Sequence, residues 1–555
     1  MAVREIKNVA VIGGGLMGSG IAQLAAQSGY NVVCKEFNQA LADKAHSSIK
    51  KVLDDRLARN KIDKAFYDGT LSRLRMTINL ADAVKDADLV IEAIPEDLKL
   101  KQDLFKEIEG LVADDVVLGS NTSGIAITEI ASVLRVKDRM IGTHFFQPAP
   151  VMLLLEIGRT PVNFQELVDK IVEFGKSLGR VPVVVKDRPG FLSTRPSGGM
   201  NELFAVRDEG VADMRSVDRI QTARGNPMGM FTLLDFIGVD TMYHILVYMH
   251  EQYGLHEFMP PIGMRQMVQL NHLGRKTGRG FYDYSQRAPE VDSSVNKEII
   301  KGIKNIAFLT TEADSPIVAA LKQEGYNVSV ANKRDDIASA VKNADVIFEE
   351  LSDDIGQKQQ DLAAVEAACR NDAIIIPMTW AKSITHISQN ATRRDRIVGA
   401  HFVTPVAKSR IVQMPCTVFT SEDTKYKALH LLRNIGREPI ATKDTPGHVQ
   451  ARLEMPEWWK DMSAVGEGLG TAWDVDAMQI YGHNHPHGPL ENIDEEGLDR
   501  VLDTMQYLYD EYGKPYFRPP QILKQKVREG KLGKKTGEGF HKYDAEGRRI
   551  DPPGH

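Results

Sequence analysis

An apolar run from Asn8 to Ile12 leads into a glycine-rich turn, apolar residues recur at helical spacing from about Met17, and a second apolar run spans Asn31 to Cys34. Short apolar runs alternating with helical periodicity predict βαβ units and a parallel sheet. From about Ala40 to Met76 the chain shifts to Ala, Lys, Leu and Arg with helical apolar spacing, broken near Asn60 and again at Asp68 and Gly69. That stretch predicts a helical hairpin; the alternative is an insertion without a role.

The pattern then repeats. KNVAVI from Lys7 returns as KNIAFL from Lys304, AVKDADLVIE from Ala83 as AVKNADVIFE from Ala340, and DRMIGTHFFQP from Asp138 as DRIVGAHFVTP from Asp395. KDRPGF from Lys186 returns as KDTPGH from Lys443, and HLGRKTGRGFYDY from His272 as KLGKKTGEGFHKY from Lys531. Similarity recurring in one order along both halves marks a duplication. Lys7 to Ala83 spans 76 residues and Lys304 to Ala340 only 36, so the second copy lacks forty residues, the hairpin among them. The polar stretch from Ser285 to Glu298, which contains Pro289, reads as a linker. The expected division is 1–187 with the hairpin at about 40–76, then 188–284, a linker at 285–302, 303–444 and 445–546.

At 555 residues the chain exceeds what one core sustains, which agrees with several domains. Charged residues make up 26%, hydrophobic residues 42%, and the net charge is −6, the balance of a globular protein without the basic excess that nucleic acid requires. No apolar run approaches the ~20 residues needed to span a bilayer, and the first residues carry no secretory pattern. Cys34, Cys369 and Cys416 are too few and too scattered for a disulfide framework or a zinc cluster. A cytoplasmic setting, no membrane partner and no metal are expected.

The turn after the first strand reads Gly13, Gly14, Gly15, Leu16, Met17, Gly18, a G-x-G-x-x-G at the start of a helix. Gly13 permits the tight turn, Gly15 lets a diphosphate approach the backbone, and Gly18 lets helix and strand pack closely. Leu16 and Met17 are also expected against the cofactor. The second strand ends near Glu36, an acid placed to accept ribose hydroxyls and repel a 2′-phosphate, which favours NAD over NADP. The second copy has Leu309-Thr310-Thr311-Glu312-Ala313-Asp314-Ser315-Pro316 there, with no glycine and two acids, and is expected to bind no dinucleotide.

Four further strings follow the glycine loop in order: SNTSGIAITEIA from Ser120, HFFQPAPVMLLLEI from His144, KDRPGF from Lys186 and LGRKTGRGF from Leu273. In these the chain resembles the L-3-hydroxyacyl-CoA dehydrogenase family, over essentially all of both copies. The resemblance implies an α/β plus all-α architecture, each copy a Rossmann-type doubly wound sheet followed by a helical C-terminal domain. Oxidising a secondary alcohol needs a base near neutral pH, and histidine has that unperturbed pKa. The candidate is His144, with Glu156 assigned by the resemblance as the carboxylate that orients the ring. Ser123 falls on the family's hydroxyl between substrate and nicotinamide, its bland alternative being a turn or N-cap serine before the helix at Ile127. Glu96 and Lys101 fall beside the ribose and nicotinamide, and Lys276 approaches the cofactor from the C-terminal segment; exposed helix charges are the alternative for each.

Two positions depart from the family pattern. Thr194 replaces an active-site asparagine after the PGF turn, and Gln147 replaces the asparagine of the HFFNP string. Threonine lacks the amide's reach and second donor, which bears on rate or acyl shape. Pro196, Ser197, Gly198 and Gly199 replace the usual apolar helix start and either open the pocket or lengthen a loop. Ser48 aligns with a coenzyme-contacting serine, and the hairpin's clamp lysine falls near Asp55 and Arg56. The second copy keeps His401 but has Gln413, Trp380 and Ala451 in place of Glu156, Ser123 and Thr194.

The reading is NAD-dependent oxidation of a (3S)-3-hydroxyacyl-CoA to a 3-oxoacyl-CoA in the first copy. The second copy is expected to be inactive and to serve as a pseudo-dimer partner within the chain, with homodimerisation open. The alternatives are a dehydrogenase of a free hydroxy acid and a non-catalytic subunit that binds NAD or acyl-CoA.

Overall fold

The computed structural model describes residues 4–550 except 196, 289, 313, 405, 407 and 408; Pro196, Pro289 and Ala313, named above, lie outside the described residues. Nine strands belong to the first copy: β1 (Asn8–Ile12), β2 (Asn31–Lys35), β3 (Leu74–Thr77), β4 (Leu89–Glu92), β5 (Val117–Ser120), β6 (Met140–Gly142), β7 (His144–Phe145), β8 (Leu154–Arg159) and β9 (Val181–Lys186). The first six form a parallel sheet in the order β3-β2-β1-β4-β5-β6. Its central strands carry continuous apolar runs, Val9–Ile12 and Leu89–Ile91, because both faces are covered. Ala10, Ile12, Val90 and Leu118 enter one core, while Val9, Val11, Leu89, Ile91 and Val117 enter another. Strand order reverses between β1 and β4, which opens a crevice at their carboxyl ends. A smaller sheet, β7-β8-β9, pairs β7 antiparallel and β9 parallel to β8.

The hairpin is the helix Gln39–Ala58 followed by Lys64–Ser72, capped by Asn38 and Asp63. Ala42, Ala45, Ile49 and Leu53 form the buried stripe of the longer helix. Asn60, with φ +53°, makes the turn between the two. The expected second break at Asp68 and Gly69 does not occur: both lie inside the second helix, where Lys64 and Asp68 pair one turn apart.

The second copy builds β10 (Asn305–Thr310), β11 (Asn327–Ala331), β12 (Val346–Glu350), β13 (Ile374–Pro377), β14 (His401–Phe402), β15 (Ile411–Cys416) and β16 (Glu438–Lys443). Its parallel sheet has four strands, β11-β10-β12-β13, and its smaller sheet is β14-β15-β16. Between β11 and the helix Ile337–Val341 stands only the short turn Arg334–Asp336, so the hairpin has no counterpart. The expected linker at 285–302 includes a short helix, Lys297–Ile300, preceded by Asn296, whose N–H donates to His430.

Each helical domain packs on the other copy. The Lys186 N–H at the end of β9 donates to the Leu469 carbonyl at 3.0 Å, and the Lys443 N–H at the end of β16 donates to the Val211 carbonyl at 2.8 Å. Leu154, Val183 and Leu192 share a core with Met455, Met462 and Met478, while Leu203, Phe204 and Leu246 share one with Val403, Ile411 and Ile440. The helix Gly199–Asp208 lies against Gln450–Gly466. Between them the fully buried Arg452 donates to Glu202 at 2.9 Å and to Glu209 at 2.6 and 3.1 Å. These reciprocal contacts are those of an isologous dimer joined into one chain.

Candidate active site

The glycine loop sits at the crevice between β1 and β4. Gly13 has φ +98°, and a Cβ there would lie 2.7 Å from the Ala93 carbonyl oxygen; a Cβ on Gly18 would lie 1.7 Å from that of Gly13. A Cβ on Gly15 would meet nothing within 4 Å, so the space above it is open. Glu36 accepts from the Gly14 and Phe37 N–H groups, both at 2.8 Å, which fixes the acid at the end of β2. Leu16, 71% exposed, and the half-buried Met17 start the helix Leu16–Gln27 beside that space. Close packing, an open backbone cradle at a helix N-terminus and a fixed acid fit the diphosphate and ribose of NAD. In the second copy Glu350 stands where Ala93 stands and accepts from the Thr310 hydroxyl at 2.6 Å. Burial pushes its carboxyl up to about 7, and Glu312 nearby adds to the rise.

Beyond the loop, Glu96 and Lys101 form one network with Glu92. Lys101 is buried, 2.6 Å from Glu92 and 3.3 Å from Glu96, and is not an exposed helix charge. Glu96 Oε1 accepts from the Thr122 hydroxyl at 2.6 Å and from the Ser123 and Gly124 N–H groups at 3.1 and 2.9 Å. Burial would raise the Glu96 pKa, but Lys101, Thr122 and Gly124 hold it below the usual value. This network fixes the half-buried Ser123 through its backbone. Ser123 does not cap the helix Ile127–Ala131; Asp187 does, accepting from the Ile127 and Thr128 N–H groups at 2.7 and 2.8 Å.

His144 and Glu156 are directly opposed across the β7–β8 pair. The His144 Nδ1–H donates to Glu156 Oε2 at 2.9 Å, and Nε2 is the nitrogen Glu156 does not engage. The PGF turn, with Phe191 at φ +48°, aims two backbone donors at the same carboxylate: Leu192 N–H at 2.9 Å and Ser193 N–H at 3.2 Å on Oε1. The Ser193 hydroxyl donates to Oε2 at 2.6 Å. Glu156 is fully buried with four donors around it, so its position is fixed from both sides of the carboxyl group.

Models of the 3-hydroxyacyl-CoA dehydrogenase NAD-binding domain match residues 8–188 and 295–445, and those of the family's C-terminal domain match 190–284 and 447–543. The chain belongs to the 3-hydroxyacyl-CoA dehydrogenase family. It is thus an NAD-dependent oxidoreductase acting on a CH–OH group. It is 27% identical over 526 residues to 3-hydroxyadipyl-CoA dehydrogenase of Escherichia coli K12, covering 94% of this chain and 98% of that protein. It is 39% identical over 289 residues to the mitochondrial hydroxyacyl-coenzyme A dehydrogenase of Sus scrofa, covering 50% of this chain and 91% of the relative. The crystal structure of 3-hydroxybutyryl-CoA dehydrogenase from E. coli K12 substr. MG1655 superposes with a TM-score of 0.77 at 25% identity, covering 95% and 99% of the two chains.

Several positions singled out from the family pattern stand apart from this cluster. Thr194 holds the turn through its N–H to the Gly190 carbonyl, while its neighbour Ser193 reaches Glu156. Gln147 is exposed and precedes a cis proline, Pro148. Lys276 pairs with Asp240 at 2.5 Å at a helix start, as Lys535 pairs with Asp499 in the second copy. Ser48 and Arg56 lie on the long hairpin helix, Ser48 exposed with its hydroxyl on the Lys44 carbonyl. Among the described residues no acidic or histidine cluster could hold a metal ion, and no single helix is long and apolar enough to cross a membrane.

In the second copy His401 and Gln413 keep the register of His144 and Glu156. There His401 turns its Nε2 to Gln450 Oε1 at 3.1 Å. Burial, with His448 and Arg500 nearby, pushes its pKa down to about 3.

Proposed function

We propose that the first copy oxidises a (3S)-3-hydroxyacyl-CoA to the 3-oxoacyl-CoA, reversibly, and that the second copy does not turn over. The reading is carried by the His144 Nδ1–Glu156 Oε2 bond of 2.9 Å to a carboxylate already held by three other donors. With Nδ1–H given to Glu156, Nε2 is an acceptor and takes the proton of the substrate hydroxyl. Glu156 stabilises the imidazolium that results. When bound, NAD supplies the nicotinamide that receives the hydride from C3 as the C3–O bond becomes a carbonyl. Ser123, fixed through Glu96, donates its hydroxyl to the oxygen being oxidised. Gly13, Gly15, Leu16, Met17, Gly18 and Glu36 hold the dinucleotide, and Ser48 and Arg56 on the hairpin face coenzyme A.

The thioester is supported by the names of the relatives, which specify hydroxyacyl-, 3-hydroxybutyryl- and 3-hydroxyadipyl-CoA. A silent second copy is supported by Gln413, which cannot stabilise an imidazolium as a carboxylate can, and by Glu350 and Glu312 at its dinucleotide crevice. NADH oxidation with 3-oxoacyl-CoA substrates of varied shape tests the reading. His144→Ala is expected to lower kcat by roughly 10² to 10⁴; unchanged turnover, or turnover of free hydroxy acids alone, overturns it.

A further inference from the structure

The second copy reaches the dyad of the first through the π-helical turn Met478–Gly482 and the residues after it. Gly482 lies against β8 and the residue after β7: a Cβ there would be 2.7 Å from Leu154 Cδ2 and 3.2 Å from Phe146 Cε1. The Phe146 ring is 4.5 Å from that of His144 and 6.0 Å from that of His483, and His483 is 6.3 Å from His485. His483 therefore stands one ring away from the base. Its Nδ1 is 2.9 Å from Gln479 Oε1, so the N–H is used there and Nε2 is left as an acceptor.

His483 is exposed to solvent by surface area, yet enclosing protein pushes its pKa down to about 3, with Lys460, His485 and His144 adding to the shift. Nearby, Glu457 accepts from the Ser197 hydroxyl of the first copy and from Lys460 at 3.0 Å. The wall offered by the second copy is thus polar, whereas the first copy contributes Phe146 and Leu154.

The corresponding reach in the other direction is closed. TARGNPMG from Thr222 aligns with YGHNHPHG from Tyr481, which places Arg224 where His483 stands. Arg224 is tied to Glu454 at 2.9 Å and Glu496 at 3.1 Å, and Glu454 in turn holds Gln450, the partner of His401. Ion pairs thus engage the residue matching His483 on the side of His401, while His483 itself stands exposed against Phe146 on the side of His144.

We propose that His483, supplied by the second copy, lines the acyl recess of the first copy's site and selects 3-hydroxyacyl groups whose far end carries a hydrogen-bonding substituent. This rests on the 3-hydroxyacyl-CoA reading above. A purely aliphatic tail would strip water from His483, His485 and Glu457 without replacing its hydrogen bonds, whereas a polar end replaces them.

The test compares 3-oxoacyl-CoA esters of one length ending in methyl, hydroxyl or carboxylate, with the full-length protein, its His483→Leu and its His483→Asn. The wild type is expected to favour a polar end by about tenfold or more in kcat/KM, chiefly through KM. His483→Leu is expected to remove that preference, and His483→Asn to retain part of it. The hydroxyl and carboxylate arms tell which terminus is taken. A wild type that prefers methyl, or a His483→Leu that slows all three esters equally, overturns the proposal. Calorimetric binding of the same esters gives the same ratio without turnover, so failure of catalysis on every ester would count against the assigned reaction and leave the role of His483 decided by binding.

Discussion

The Ser193 hydroxyl lies 2.6 Å from Glu156 Oε2, the same oxygen that holds His144. The carboxylate's position is therefore set by a side chain as well as by the turn behind it. Ser193→Ala removes one hydrogen bond to a buried charged group, and kcat is expected to fall roughly tenfold. NADH affinity, read by fluorescence titration, should not change, because the Ser193 hydroxyl is spent on Glu156. An unaltered kcat would show that the two backbone donors suffice.

The glycines of the loop make separable demands. Gly15→Ala meets open space, so thermal stability should stay within about 0.5 kcal/mol of the wild type while NADH binding weakens roughly tenfold, about 1.4 kcal/mol. Gly18→Ala forces a methyl onto the Gly13 carbonyl and should cost about 1–3 kcal/mol or more. Urea unfolding and NADH titration of both variants check the contrast, and equal loss of stability in the two would contradict it.

His401 is fully enclosed and its pKa, normally 6.5, is pushed to about 3. Between those values the unfolded chain binds a proton that the folded chain refuses, so stability falls as pH drops through that window. The contribution is about 1.4 kcal/mol per pH unit. Replacing His401 with alanine should flatten the acid limb of the stability curve by one proton, while turnover at neutral pH stays intact. A tenfold loss of activity without unfolding would show that the second copy takes part in the chemistry.

Arg452 joins the two copies through Glu202 and Glu209 with no exposure to solvent. Arg452→Ala leaves the buried Glu202 with Lys514 and Tyr516 as its remaining partners and releases the exposed Glu209, and is expected to destabilise the protein by about 1–3 kcal/mol. Chemical denaturation measures this, and a loss under about 1 kcal/mol would place the stability of the interface in its apolar core.

The duplication, the Rossmann-type sheets and the helical C-terminal domains are legible in the sequence because apolar period and repeated strings carry them directly. His144 and Glu156 are legible through the family strings alone, since their twelve-residue separation does not reveal that β7 and β8 fold back to oppose them. Ser193 is not legible: serine there is one more polar residue after a turn, and only the PGF backbone at positive φ aims it at Glu156. Asp187 is likewise hidden, because a cap supplied from sixty residues away leaves no local signal at Ile127. The missing break at Gly69 shows helical context overriding a single weak helix former. Which copy's helices cover which sheet is written in no periodicity, because an apolar stripe specifies burial and not its partner.

The reciprocal bonds from Lys186 to Leu469 and from Lys443 to Val211 also decide how the protein meets dilution. Two separate chains sharing such contacts come apart as concentration falls and take their shared recess with them. Here the tether keeps the halves together at any concentration. It also lets each side of the interface mutate alone, where a symmetric pair must change both at once. Arg224 and His483 occupy matching places and have become different residues, a divergence that no homodimer can accumulate.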